Sequence, residues 1–203
     1  MKTFRWPDRP GLTISPEHLE SISADEYFAT LKLDGWRLLV ERHRAKFSYL
    51  SRENKPMPIR DEVRFPFEAF VNQHFQGDTI LDCELTGNRR TGDAKAIVIL
   101  DILMENGVAF YHAPALDRIT AKDLPGSYLV PYAFGNLKGG WRKVWQDWQG
   151  FSSVKGNPPA EGIVFRRKDS RYIGSPVKAA ENPGWIRCKW RSGSDGLAPT
   201  EIL

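Results

Sequence analysis

Phe28-Ala29-Thr30-Leu31-Lys32-Leu33-Asp34-Gly35-Trp36-Arg37 decides the reading of this chain. One lysine stands in an apolar, strand-like run (Ala29, Leu31, Leu33), and an Asp-Gly step follows it closely. A lysine withdrawn from water near other cations is one that proteins use as a nucleophile. Glycine after the aspartate lets the backbone turn sharply or approach a ligand closely. Arg37, five residues beyond Lys32, carries a planar fork of donors suited to a phosphate. An ordinary Asp-Gly hairpin between two surface cations accounts for the same ten residues, so the rest of the chain has to decide.

Outward from this stretch the pattern is that of strands with a few helices. Residues 1–23 read as an extended, proline-containing lead-in with a helical turn at Pro16–Ser23. Tyr27–Leu31, Arg37–His43 and Lys46–Leu50 alternate as half-buried strands and are expected to form an antiparallel meander. Pro66–Phe75 has helical spacing. Thr79–Leu85 and Ala96–Leu103 are apolar enough for buried strands, the second rich in β-branched residues. A short helix is expected over 113–124, a strand over Tyr128–Phe134, and an aromatic helix over Gly140–Trp148. Gly162–Arg167 and Trp185–Trp190 are the last two strands. Trp141, Trp145 and Trp148 fall on one helical stripe, which favours core packing over base stacking. Helices without a regular βαβ order point to an α+β fold of antiparallel sheets flanked by helices.

Composition narrows the class. The 203 residues, 41% hydrophobic and 27% charged, suit one domain with a proper core. No apolar run reaches eighteen residues, so no membrane partner is expected. The first residues lack the apolar core of a secretory signal. Cys83 and Cys188 stand far apart without metal-ligand spacing, and an intracellular location is expected. The net charge is +4, yet residues 161–191 alone carry eight basic and three acidic side chains. A concentrated basic stretch suits a polyanion, nucleic acid or nucleoside triphosphate; a solvated basic face is the plain alternative.

The opening stretch resembles the K-x-D-G-x-R nucleotidylation motif of ATP-dependent DNA ligases, RNA ligases and mRNA-capping enzymes. Further elements match that superfamily in its own order. Ser51-Arg52 resembles the Ser-Arg pair after the first hairpin. Asp82-Cys83-Glu84-Leu85 resembles a D-G-E-L strand, with Cys83 in the glycine position. Asp82 and Glu84, two residues apart on a strand, share a face. Ile97–Leu103 resembles the next strand, but Leu100 stands where relatives carry an aromatic that stacks on the base. Arg118 occupies the place of an arginine near the following helix, or is a solvated helix residue. Glu161-Gly162-Ile163-Val164 matches E-G-x-V, and the 165–172 segment resembles the basic, S-x-Y-containing connector of DNA ligases. Trp185-Ile186-Arg187-Cys188-Lys189 resembles W-x-K-x-K, with Arg187 for the first lysine.

The resemblance implies an ATP-grasp-like nucleotidyltransferase core over residues 1–203, with ATP and Mg²⁺ or Mn²⁺. Lys32 would be the nucleophile that accepts AMP. Thr30, Leu31, Arg37, Arg52, Glu84, Leu100, Arg187 and Lys189 would bind nucleotide. Glu161 and Glu84 would hold the metal ion, directly or through water. Arg52, Arg166, Arg167, Lys168 and Arg171 would face nucleic acid, nicked DNA rather than RNA on the strength of Thr30 and the Ser170-Arg171-Tyr172 connector. Relatives continue into a C-terminal OB-fold, for which the residues after Lys189 are too few. A minimal core, a shortened chain and a component whose partner protein supplies the barrel are the three readings of that difference. An RNA ligase, a capping-type guanylyltransferase and a non-catalytic binder of nucleic-acid ends are the competing functions.

Overall fold

The computed structural model describes residues 7–88, 93–136, 138–154, 157–174 and 180–190. Among the described residues there are two five-stranded sheets. The first has the order β1 (Arg9–Ile14), β10 (Glu181–Lys189), β9 (Ala160–Arg167), β2 (Tyr27–Leu33) and β8 (Tyr132–Phe134). The second runs β4 (Lys46–Ser51), β3 (Gly35–His43), β5 (Thr79–Asn88), β6 (Asp93–Glu105) and β7 (Val108–Ala109). Every pairing is antiparallel except β1 with β10. The helices are α1 (Asp61–His74), α2 (Ala115–Thr120) and α3 (Gly140–Ser153), with a 3₁₀ turn over Pro16–Ser21. The result is an α+β fold. No described helix is long and apolar enough to cross a membrane.

Strand alternation gives each sheet two working faces. In the first sheet, Ala29, Ile163, Phe165, Ile186 and Cys188 pack with Trp141 and Trp145 of α3. Trp141 is 1% exposed and its indole N–H donates to the Ile22 carbonyl at 2.8 Å, so core packing is what this stripe does. The opposite face presents Phe28, Val164, Arg166 and Trp185 toward the second sheet. There Trp185 and Val164 meet Leu39, Ile80, Leu103 and Met104. On its far side the second sheet carries α1, whose Val63, Phe67, Phe70 and Val71 are all buried.

Three local expectations need correction. β2, β3 and β4 are not one meander: β3 pairs with β4 and β5, whereas β2 pairs with β8 and β9. The chain changes sheets at Asp34, whose N–H donates to the Pro159 carbonyl at 2.9 Å. Gly35 permits the step because a Cβ there would collide with the Leu85 carbonyl and reach the Glu84 Cγ at 3.0 Å. Second, the lead-in is a strand, β1, held by long-range parallel pairing that local sequence does not encode. Third, the 128–134 segment divides between the sheets. Leu129 bridges to Ile99, and regular pairing with β2 begins at Tyr132. Helix α1 also starts five residues before Pro66, at an acid-rich first turn that complements the helix dipole.

Candidate active site

The register of the first sheet assembles the site. Lys32 on β2 and Lys189 on β10 both stand opposite Gly162 of β9. The three positions form one cross-strand row on the face turned toward the second sheet. Glu161 precedes Gly162 and would point to the other face of a regular strand. The pairing of β2 with β9 slips between Lys32 and Leu33, however, passing from Gly162 to Ala160. Glu161 is therefore the extra residue of a bulge, a device that re-aims a side chain. Its carboxylate accepts from the Lys32 ammonium through Oε1 and from Lys189 Nζ through Oε2 at 3.2 Å. A side chain at 162 would be stopped by the Cys188 carbonyl and by Lys189 Cα at 2.8 Å, so glycine is what allows β9 and β10 this close.

Electrostatically the cluster is two cations around one anion. Burial works to raise the Glu161 pKa, but the charges of Lys32 and Lys189 outweigh it and hold the carboxyl below its ordinary value of 4.5. Side-chain exposures of 21% for Lys32, 24% for Glu161 and 37% for Lys189 leave the group reachable by a ligand. A surplus positive charge in a partly desolvated place favours a polyanion such as a triphosphate. Among the described residues no set of three or more His, Cys, Asp or Glu side chains gathers as an all-protein metal cage.

The other sequence candidates fall in several places. Arg52 is exposed on the turn after β4, which Ser51 tightens by accepting from the Glu53 and Lys55 N–H groups at 3.2 Å each. Glu84 stands opposite Arg37 in the β3–β5 pair. Arg187 shares the Lys189 face and donates from Nε to Thr13 Oγ1 at 2.7 Å. Arg167 and Arg171 are exposed, Arg167 being paired with Asp169 at 2.6 Å. The Lys168 ammonium donates to the carbonyls of Ala24 at 3.1 Å and Asp25 at 2.7 Å.

Some candidates are turned inward. Thr30 is 2% exposed and its hydroxyl donates to the Val164 carbonyl at 3.3 Å; Leu31 and Leu100 lie in the core. The Arg37 guanidinium grips Asp82 with both Nε and Nη2 instead of projecting freely as a phosphate clamp. Burial alone would lower its pKa, but Asp82 overrides this and holds it well above the ordinary value. Arg166 does not face a nucleic acid. It is 3% exposed, lies over the Trp185 indole at 4.4 Å, and donates to Asp101 Oδ2 at 3.1 Å.

Sequence reasoning missed the ion cluster to which Arg166 belongs. Arg118 is fully buried, not a solvated helix residue, and clamps Asp101 through Nε and Nη2 at 2.9 Å each. Asp101 is on β6 and Arg166 on β9, so this cluster bolts the two sheets together. Tyr172 adds a second tie by donating to Asp82 Oδ2 at 2.8 Å. An aspartate inside the apolar run Ile97–Leu103 was the available signal, since such a charge must find a partner.

No family model and no curated protein matches the sequence. Solved structures do match the fold. The mycobacterial DNA ligase D complexed with ATP superimposes with a TM-score of 0.66 over 94% of this chain, at 17% identity. The ligase domain of M. tuberculosis LigD gives 0.60 over 89% at 18% identity. The fold is that of ATP-dependent DNA ligase domains. This chain spans 62% and 58% of those two ligase chains, respectively. The bacteriophage T7 ATP-dependent DNA ligase, complexed with ATP, has the same ligase-domain fold, with a TM-score of 0.55 over 95% of this chain and 74% of its own, at 13% identity.

Proposed function

We propose that this chain is the nucleotidyltransferase core of an ATP-dependent polynucleotide ligase, acting on nicked DNA. The observation that carries the reading is the Lys32–Glu161–Lys189 cluster on the first sheet of a ligase-type fold. In this ATP-grasp-like arrangement the nucleotide lies between the sheets with its phosphates against the Lys32 row.

In the first step the Lys32 amine attacks the α-phosphorus of ATP. A P–N bond forms, the bond to the bridging oxygen breaks, pyrophosphate leaves, and the lysine loses a proton. Glu161 accepts from that amine and orients it, and the proton passes to solvent. Lys189, on the other Glu161 oxygen, is placed to take the charge that develops on the α-phosphoryl oxygens. Two further transfers complete ligation: AMP passes from Lys32 to a 5′-phosphate, and a 3′-hydroxyl then displaces AMP. Glu161 and Glu84 are the hard oxygen donors that would hold Mg²⁺ or Mn²⁺ jointly with the phosphates, as suits a cation that prefers shared ligation. Such an ion, when bound, neutralises charge on the phosphates. Arg52, Arg167 and Arg171 supply exposed positive charge for the nucleic-acid backbone, a contribution expected to weaken with salt.

The test is incubation with α-labelled ATP and Mg²⁺, then a denaturing gel and intact mass. The expected product is one AMP per chain, absent in Lys32→Ala although that variant folds. Label retained in Lys32→Ala rejects the nucleophile, and label from GTP in place of ATP favours a capping-type activity. No label, with sealing of pre-adenylylated nicked DNA, places the deficit in the first step alone.

A further inference from the structure

We infer that Thr13 is a positioning residue for nucleotide binding, acting through Arg187; this rests on the ligase reading above and deepens it. Thr13 lies on β1, outside every element that carries the family resemblance. In the parallel β1–β10 pair it stands opposite Arg187, and its hydroxyl accepts the Arg187 Nε–H at 2.7 Å. Arg187 in turn stands opposite Val164, which stands opposite Thr30. A row Thr13–Arg187–Val164–Thr30 therefore runs beside the row Lys189–Gly162–Lys32, on the same face. The two rows are about 7 Å apart along the strands, two residues of extended chain.

The chemistry follows from how a guanidinium is used. It is a planar set of five N–H donors on a long, rotamer-rich stem. Spending Nε on a fixed hydroxyl sets the plane of the group and leaves the Nη1 and Nη2 ends to meet a phosphate as a fork. Ordering the side chain before the ligand arrives lowers the cost of binding it. The ligand class is the triphosphate already faced by Lys32 and Lys189. A lysine in place of Arg187 gathers its three N–H donors on one nitrogen and has no separate Nε to hold Thr13 while a planar fork meets a phosphate. Thr13 touches no substrate; its effect passes entirely through Arg187.

The experiment measures the rate of Lys32 labelling against ATP concentration, with Mg²⁺, in the full chain. Thr13→Val keeps the size and strand preference of the side chain and removes the acceptor. It should raise the ATP concentration for half-maximal rate about five- to tenfold, the scale of one ordinary net hydrogen bond. The limiting rate should change far less, and Thr13→Ser should restore the wild-type value. In an Arg187→Lys background, Thr13→Val should add almost nothing. An unchanged ATP requirement in Thr13→Val overturns the inference, as does equal damage in Thr13→Ser. So does an undiminished effect in the Arg187→Lys background, which would mark Thr13 as merely structural. A wild-type chain that takes no label from ATP overturns this inference, and one that also fails to seal pre-adenylylated nicked DNA overturns the ligase reading with it.

Discussion

Replacing Asp101 with asparagine should loosen the junction between the sheets. The aspartate is fully buried, and three guanidinium N–H groups end on it: Arg118 Nε and Nη2 at 2.9 Å, and Arg166 Nη1 at 3.1 Å. Both arginines are themselves within 3% of complete burial. The neighbouring carboxylate, Asp82, is already engaged by Arg37 and Tyr172. An amide of the same shape leaves two buried cations without their anion and turns one acceptor into a competing donor. Breaking a buried pair by removing one partner costs about 3–5 kcal/mol. For a chain of this length that is roughly 6–20 °C in melting temperature, and a large share of a domain's stability. Urea titration followed by tryptophan fluorescence is the assay, because Trp185 lies against Arg166. Arg118→Met is the informative comparison: it leaves Asp101 paired with Arg166 and should cost less. A loss below about 1 kcal/mol for Asp101→Asn, the ordinary effect of a point change, would refute the view that this cluster holds the layers together.

Two further outcomes are expected at the site. Gly162→Ala should slow Lys32 labelling by about a hundredfold, because its Cβ must displace the backbone at Cys188–Lys189, and a shift near 1 Å in a catalytic group has that scale of effect. A normal labelling rate in a folded Gly162→Ala protein would count against the close Lys32–Gly162–Lys189 row. The Glu161 contacts should also have a pH signature. The folded carboxyl is held below its ordinary value of 4.5, so it contributes stability that is present above that value and lost as pH falls through the lowered one. Urea midpoints of wild type and Glu161→Gln should accordingly converge in acid; a difference that stays constant with pH would contradict the charge interaction.

Residue order alone pointed to the proposed chemistry. Lys32, Glu161 and Lys189 were legible because a lysine in an apolar strand before an Asp-Gly step, a carboxylate before glycine and an alternating basic strand are local patterns, and their order along the chain made the match specific. The α+β class and nearly every strand were also legible, since burial on one or both faces is written in a period of two. Tertiary structure decided what depends on partners distant in sequence. The division of β2 and β3 between two sheets, the strand β1 and the bulge that turns Glu161 toward Lys32 all arise from pairing across many residues. The inward turn of Arg37, Arg118 and Arg166 has the same origin. An arginine looks the same in sequence whether it meets a phosphate, water or a buried aspartate, and the electrostatic cost of burial is settled only when the fold supplies, or withholds, the opposite charge.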